Sequence, residues 1–146
     1  MTNYQTNDMG ECIYLAKNLI EQHEGRRSLA YKDSLGIITV GVGRNLEHKG
    51  LSNNEIDILL VNDIIECFDD LSHFKWFEEA TERQKAALLD WRFQLGGAGI
   101  RKFKQTMKYL YEGDYNQAGI EMLDSRWAQQ TPNRANAISR MIRDVP

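Results

Sequence analysis

The sequence predicts an α+β chain: a small β-hairpin lobe joined by a long helix to a larger helical lobe, within one domain spanning residues 1–146. Three observations carry that prediction. Residues 28–33 (SLAYKD) and 37–43 (IITVGVG) are short runs rich in aromatic or β-branched residues, split by Ser34, Leu35 and Gly36. Ser52 followed by Glu55 is a capping box that opens a run with Ile56, Leu59, Leu60, Asp63, Ile64 and Cys67 on one face. From residue 74 onward the chain reads helical, with breaks at Thr81, at 96–99, at 113–114 and at 131–132.

Taken in order, Ile13, Leu15, Ala16, Leu19 and Ile20 repeat with a helical period and predict a helix over about 9–23, ended by Gly25. The hairpin lobe covers about 25–50. A three-residue loop with Gly36 in the left-handed region pairs Asp33 with Ile37 and sets Asp33 and Thr39 on one face of the ladder. A two-residue loop would set them on opposite faces, and the chemistry below favours the first. The linking helix is expected over about 53–71, and the helical lobe over about 74–146 together with the N-terminal helix. Within that lobe, helices are expected near 82–95, 100–112, 115–124 and 133–143. Thr131-Pro132 reads as a cap followed by proline at the first helical position.

Composition narrows the function classes. With 146 residues, 42% of them hydrophobic, the chain can bury one core. No signal-peptide pattern opens it and no apolar run nears the roughly 18 residues of a membrane span, so a soluble, cytoplasmically made protein is expected. Cys12 and Cys67 are far apart, and His23, His48 and His73 do not cluster, so no metal or cofactor site is expected. Both thiols are expected to be reduced and buried in helices. Residues 47–82 hold ten acids against two bases, whereas residues 101–146 hold eight bases against five acids. That asymmetry fits either two solvated faces or a basic wall that steers an anionic polymer.

The chemistry lies around the hairpin. Glu24 ends a helix, Asp33 ends a strand-like run, and Thr39 sits in the next one. One protonated carboxyl group, one ionised carboxylate and a hydroxyl that orients water suit glycoside hydrolysis. Spacing alone is weak support, because a chain with 21 acids contains many such pairs.

The motifs are more specific. "HEGRRSLAYKDSLGIITVGVGRNL", "DWRFQLGGAGIRKF" and "SRWAQQTPNRANAISR" occur in order at residues 23–46, 90–103 and 125–140, within a match that spans about residues 11–143. Together they resemble the T4-type phage lysozymes of glycoside hydrolase family 24, with Val40 in place of an isoleucine in the first block. The resemblance implies a lysozyme-like fold with the active-site cleft between the lobes. It implies Glu24 as general acid, with partial burial to raise its pKa, and Asp33 and Thr39 as holders of the attacking water in an inverting displacement. Arg134 matches an arginine that pairs with the general acid. Phe93 and Thr106 match substrate contacts of the cleft, although an aromatic at helical spacing also suits a core. Asn45 and Glu121 occupy substrate-contact positions where the family's pattern has leucine and asparagine. Gln94 and Trp127 match residues that brace the helical lobe.

The departures are informative as well. The hairpin lobe is shorter than the family's, and the protein is acidic rather than basic. Attraction to an anionic wall would therefore rest on a local patch such as Arg26, Arg27, Lys32, Arg101, Lys102, Lys104 and Lys108. Asp90 and Arg92 flank Trp91 and are expected at an edge. Arg44 stands where the family has histidine, and is expected to pair with Asp63 on the linking helix. The implied function is a muramidase cutting the β-1,4 bond between N-acetylmuramic acid and N-acetylglucosamine. It would act as a phage endolysin made in the host cytoplasm, reaching the periplasmic wall with a holin-like permeabiliser. The glycan strand would be its substrate, with no nucleic-acid partner, no stable membrane insertion and a monomeric state. A phage tail lysozyme domain and a catalytically silent wall-binding module are the alternatives.

Overall fold

A computed structural model describes residues 10–146; the first residue of the helix expected over 9–23 lies outside the described residues. Eight helices and one three-stranded antiparallel sheet are present among the described residues. The chain divides into two compact units, one ending at Leu59 and one running Leu60–Pro146.

The first described element of the first unit is α1 (Glu11–Glu24), closed by Gly25, whose N–H donates to the Glu21 carbonyl. Strands β1 (Arg27–Lys32), β2 (Ile38–Gly41) and β3 (Arg44–Asn45) follow in the order β1-β2-β3. Gly36 takes φ 79°, and the Asp33 N–H donates to the Ile37 carbonyl at 2.9 Å, so the three-residue loop forms as expected. β3 was not foreseen: two residues are too short to show an alternating pattern. Helix α2 (Asn53–Leu71) begins at the predicted capping box, with the Ser52 N–H donating to Glu55 and the Glu55 N–H to Ser52. The division between the units falls inside this helix.

The second unit holds α3 (Lys75–Glu78), α4 (Glu82–Arg101), α5 (Lys104–Tyr111), α6 (Tyr115–Glu121), α7 (Arg126–Gln130) and α8 (Pro132–Ile142). Its core joins Leu71, Phe77, Leu88, Trp91, Ile100, Leu110, Met122, Ile138 and Ile142, all nearly inaccessible to solvent. The Thr81–Gln84 capping box opens α4, and the Gln84 side chain also donates to the Ile142 carbonyl, tying α4 to the end of α8. The predicted break arrives at Gly96, with φ 76°, but the chain resumes a helical turn and stops only at Lys102. A side chain at Gly97 would stand 3.0 Å from an oxygen of Asp70, so glycine here leaves room for a charge cluster rather than ending the helix.

That cluster answers one departure. Asp70 takes Arg92 at 2.7 Å and Arg101 at 2.7 Å, and the two guanidiniums hold its carboxyl down at about 2. Arg101 is thereby withdrawn from any free basic patch. The sequence reading of Thr131 is corrected: its hydroxyl donates back to the Trp127 carbonyl and makes no side-chain cap to α8, although Pro132 does start that helix. Cys67 is buried, but Cys12 is exposed, contrary to expectation, because no residue of α1 is buried. No helix among the described residues is long and apolar enough to cross a membrane.

Candidate active site

The hairpin sets the first group of residues. The Asp33 backbone pairs with Ile37, and Tyr31 lies opposite Thr39, so Asp33 and Thr39 share a face of the ladder, two positions apart. Asp33 is fixed further by its own side chain. Oδ1 accepts the N–H groups of Leu35 at 2.8 Å and Ile37 at 2.9 Å, which locks the carboxylate onto the turn. Thr39 is buried, and its hydroxyl donates to the Ile37 carbonyl at 2.9 Å, leaving oxygen lone pairs to accept from a water. Opposite Thr39 on β3 stands Asn45, whose side-chain oxygen takes the His48 N–H and closes the next turn.

Glu24, the last residue of α1, is exposed rather than partly buried as expected, since that whole helix presents its residues to solvent. One residue missed in the sequence bears directly on it. Gly43, at φ 66°, lies so close that a Cβ there would stand 3.0 Å from both the carboxyl carbon and Oε2 of Glu24. The carboxyl group therefore rests against the glycine that follows β2. The signal was in the sequence, as the second glycine of "TVGVG".

Arg44 does not take Asp63. It donates to Glu55 at 2.7 Å and to the Gly50 carbonyl at 3.3 Å. Glu55 lies only eleven positions away, at the start of α2 and already turned toward the loop by the Ser52 N–H, so it is the nearer partner. Arg44 first, and the Ser52 N–H second, hold the Glu55 carboxyl down at about 2.

In the second unit, Phe93 is 41% exposed, so it is not a core residue, and it lines an apolar groove with Leu60, Ile64, Leu89, Asp90 and Arg134. Arg134 forks onto Asp90 through Nε and Nη2, so the aspartate that looked anomalous beside Trp91 serves as the arginine's partner. Gln94 accepts the indole N–H of Trp127 at 2.8 Å, the bracing role expected of both. Thr106 and Glu121 line one shared cavity.

An α+β chain whose hairpin holds a carboxylate and a threonine on one face, with an acid at the preceding helix end, has the make-up of a lysozyme-type glycoside hydrolase. The phage lysozyme family matches residues 21–141, and the chain belongs to that family, whose substrate is peptidoglycan. "Probable T4-type lysozyme 2" of Dictyostelium discoideum is 26% identical over 155 residues, covering 84% of this chain and 89% of that protein. "Probable T4-type lysozyme 1" of the same organism is also 26% identical, covering 86% and 92%. The pre-baseplate central spike protein Gp5 of Enterobacteria phage T4 is 24% identical over 85% of this chain, which spans 27% of that protein.

Proposed function

We propose that the chain is a muramidase that cuts the β-1,4 bond between N-acetylmuramic acid and N-acetylglucosamine, with Glu24, Asp33 and Thr39 as its catalytic residues. Glu24 protonates the departing glycosidic oxygen, which then leaves as a neutral hydroxyl. Asp33 and Thr39 accept hydrogen bonds from a water on the opposite face of the sugar, and Asp33 takes its proton as the new bond to the anomeric carbon forms. Attack from that face inverts the anomeric configuration. The observation that carries the reading is the hairpin register, which puts Asp33 and Thr39 on one face. Asn45, Phe93, Thr106 and Glu121 are proposed sugar or wall contacts, with Arg134 and Gln94 in support.

As an endolysin, the protein would act as a monomer, be made in the host cytoplasm and need a holin-like permeabiliser to reach the wall and release progeny. The similarity to a phage spike protein supports a second reading, a tail-borne lysozyme working from outside. Dye release from labelled peptidoglycan tests the chemistry common to both. Glu24→Gln should lower the rate by about 10²–10⁴-fold with an unchanged melting temperature. A variant as active as the parent ends the assignment, and an inactive parent would favour a silent wall-binding module. Proton NMR of the first product formed reads the anomeric configuration, and retention would remove the inverting mechanism.

A further inference from the structure

A cavity of about 490 Å³ lies between the start of β1 and the end of β2. Arg26, Arg27 and Ser28 form one wall, and Gly41 with Val42 the other. Its place along the chain ties it to the proposed general acid. Arg26 follows Glu24 by two residues, and Val42 precedes Gly43, the glycine against which the Glu24 carboxyl rests.

The hairpin opens here because its ladder is irregular. Arg27 is paired with Gly41 and Tyr31 with Thr39, so Ser28, Leu29 and Ala30 stand opposite Val40 alone. Extra residues in one strand leave backbone groups unpaired and bend that strand. The far wall is bare: Gly41 takes φ 68°, and a Cβ there would meet nothing within 4 Å.

The charge is one-sided. The two grooves that Phe93 lines hold acids together with bases, Asp90 with Arg134 in one and Asp63 and Glu66 with Arg92 in the other. The hairpin cavity has two arginines and no acid on its walls. Arg26 gives only one of its N–H donors to Glu21, at 3.2 Å, and its side chain stays 74% exposed. Among the described residues no carboxylate pairs with Arg27. Its guanidinium lies over the Tyr31 ring, 4.3 Å from the centroid, which orders the fork and leaves its edge N–H groups free. A neutral sugar would leave both charges unmatched, whereas a carboxylate fits the fork of an ordered guanidinium.

We infer that this cavity binds a free carboxylate of the stem peptide carried by the muramic acid at the cleaved bond. The inference rests on the muramidase reading and adds to it the part of the wall recognised beside the glycan. The glutamate of that peptide is the second residue from the sugar, within about 7 Å of chain from the lactyl group. Arg27 donates two N–H groups to its carboxylate, and Arg26 and the Ser28 hydroxyl complete the set.

An NMR titration of the isotope-labelled full chain tests this with two probes. They are N-acetylmuramyl-L-alanyl-D-glutamate and N-acetylmuramyl-L-alanyl-D-isoglutamine, in which one carboxylate becomes a neutral amide. Amide shifts should centre on residues 26–28 and 41–42. The acid should bind about fivefold more tightly at low salt, as for one well-formed exposed charge pair, and the gap should close in molar salt. Arg26→Gln with Arg27→Gln should abolish the gap. Because Arg27 also stacks on Tyr31, Arg26→Gln with Ser28→Ala is the second variant, and it should narrow the gap with that contact kept. Equal affinity for both probes, shifts centred elsewhere, no binding at all or a gap that survives in both variants would overturn the proposal. Inorganic phosphate shifting the same amides as strongly would also overturn it, by showing a general anion site. Neither probe contains a bond between two sugars, so failure here is separate from failure of the muramidase reading, which is measured on peptide-free glycan.

Discussion

In the unit that ends at Leu59, Thr39 is the one buried residue among those described, and local hydrogen bonds set the geometry. Asp33 holds its own turn, Asn45 holds the next, and Glu55 caps the helix after them. In the unit Leu60–Pro146, three tryptophans and a run of aliphatic residues form one core, and α4 and α8 meet across 58 positions of sequence. The proposed catalytic residues therefore stand on a scaffold held by short-range hydrogen bonds, while apolar burial is concentrated elsewhere. The teaching is a separation of vulnerabilities. Damage to the core should cost folding, and damage around the hairpin should cost chemistry first.

The largest expected effect tests the core side. Trp91 is fully buried and meets the Phe103 ring edge-to-face at 5.4 Å. Trp91→Ala should destabilise by roughly 3–5 kcal/mol in urea unfolding. Trp91→Phe should cost much less, because the buried indole N–H has no acceptor to lose. A loss below about 1 kcal/mol for the alanine variant would mean that the core is not where the unit's stability lies.

Next comes the charge cluster at the kink of α4. Arg101 and Arg92 hold Asp70 at about 2 against an ordinary 3.8, so the native state binds a proton less readily than the unfolded chain. The stabilisation is therefore present above about pH 4 and lost as pH falls toward 2, and it amounts to on the order of 2 kcal/mol. Asp70→Asn should lower stability at neutral pH and flatten the decline between those limits. A parallel decline in parent and variant would show that the cluster does not govern acid unfolding.

The same contrast explains what the sequence revealed. The hairpin residues were legible because their partners lie within a few positions: a left-handed glycine, an Asx turn and a capping box each leave a local signature. The long helices were legible from periodicity. The pairing of charges was not. Asp90 and Arg92 looked misplaced beside a buried tryptophan, and only contacts spanning 44 and 22 positions show each with an opposite charge. Arg101 read as a free cation for the same reason. The short helices α3 and α7, with four and five residues, are too brief for a period to appear.

A smaller effect is expected on the hairpin side. Gly43→Ala places a methyl group where only 3.0 Å separates it from the Glu24 carboxyl, at a backbone φ of 66°. The left-handed conformation should cost about 1 kcal/mol. The carboxyl end of a flexible side chain yields rather than the backbone, so Glu24 shifts. Lysis should fall by more than the stability loss explains. A variant with reduced melting temperature but parental specific activity would show that the position of Glu24 does not depend on Gly43.

The smallest effect is expected at Arg44, and it is the sharpest probe of how the hairpin unit is held. Arg44 and Glu55 meet at 2.7 Å, but both side chains remain about one-third exposed, so water and salt screen the pair. Glu55 is at the same time the capping residue that receives the Ser52 N–H. Two substitutions separate those roles. Glu55→Gln keeps an oxygen for the cap but loses the charge, whereas Arg44→Gln leaves the charge and the cap in place without the guanidinium. If the pair matters only as a screened contact, both variants should lower the melting temperature slightly and equally, and the difference from the parent should vanish in molar salt. The pH dependence has a fixed sign. Arg44, then Ser52, hold Glu55 at about 2 against an ordinary 4.5, so the contribution is present above that ordinary value and fades as pH falls toward the folded one. A salt-insensitive loss in Arg44→Gln would instead make this pair a structural anchor of the unit, and hydrogen bonding local to the hairpin would no longer suffice to explain its geometry.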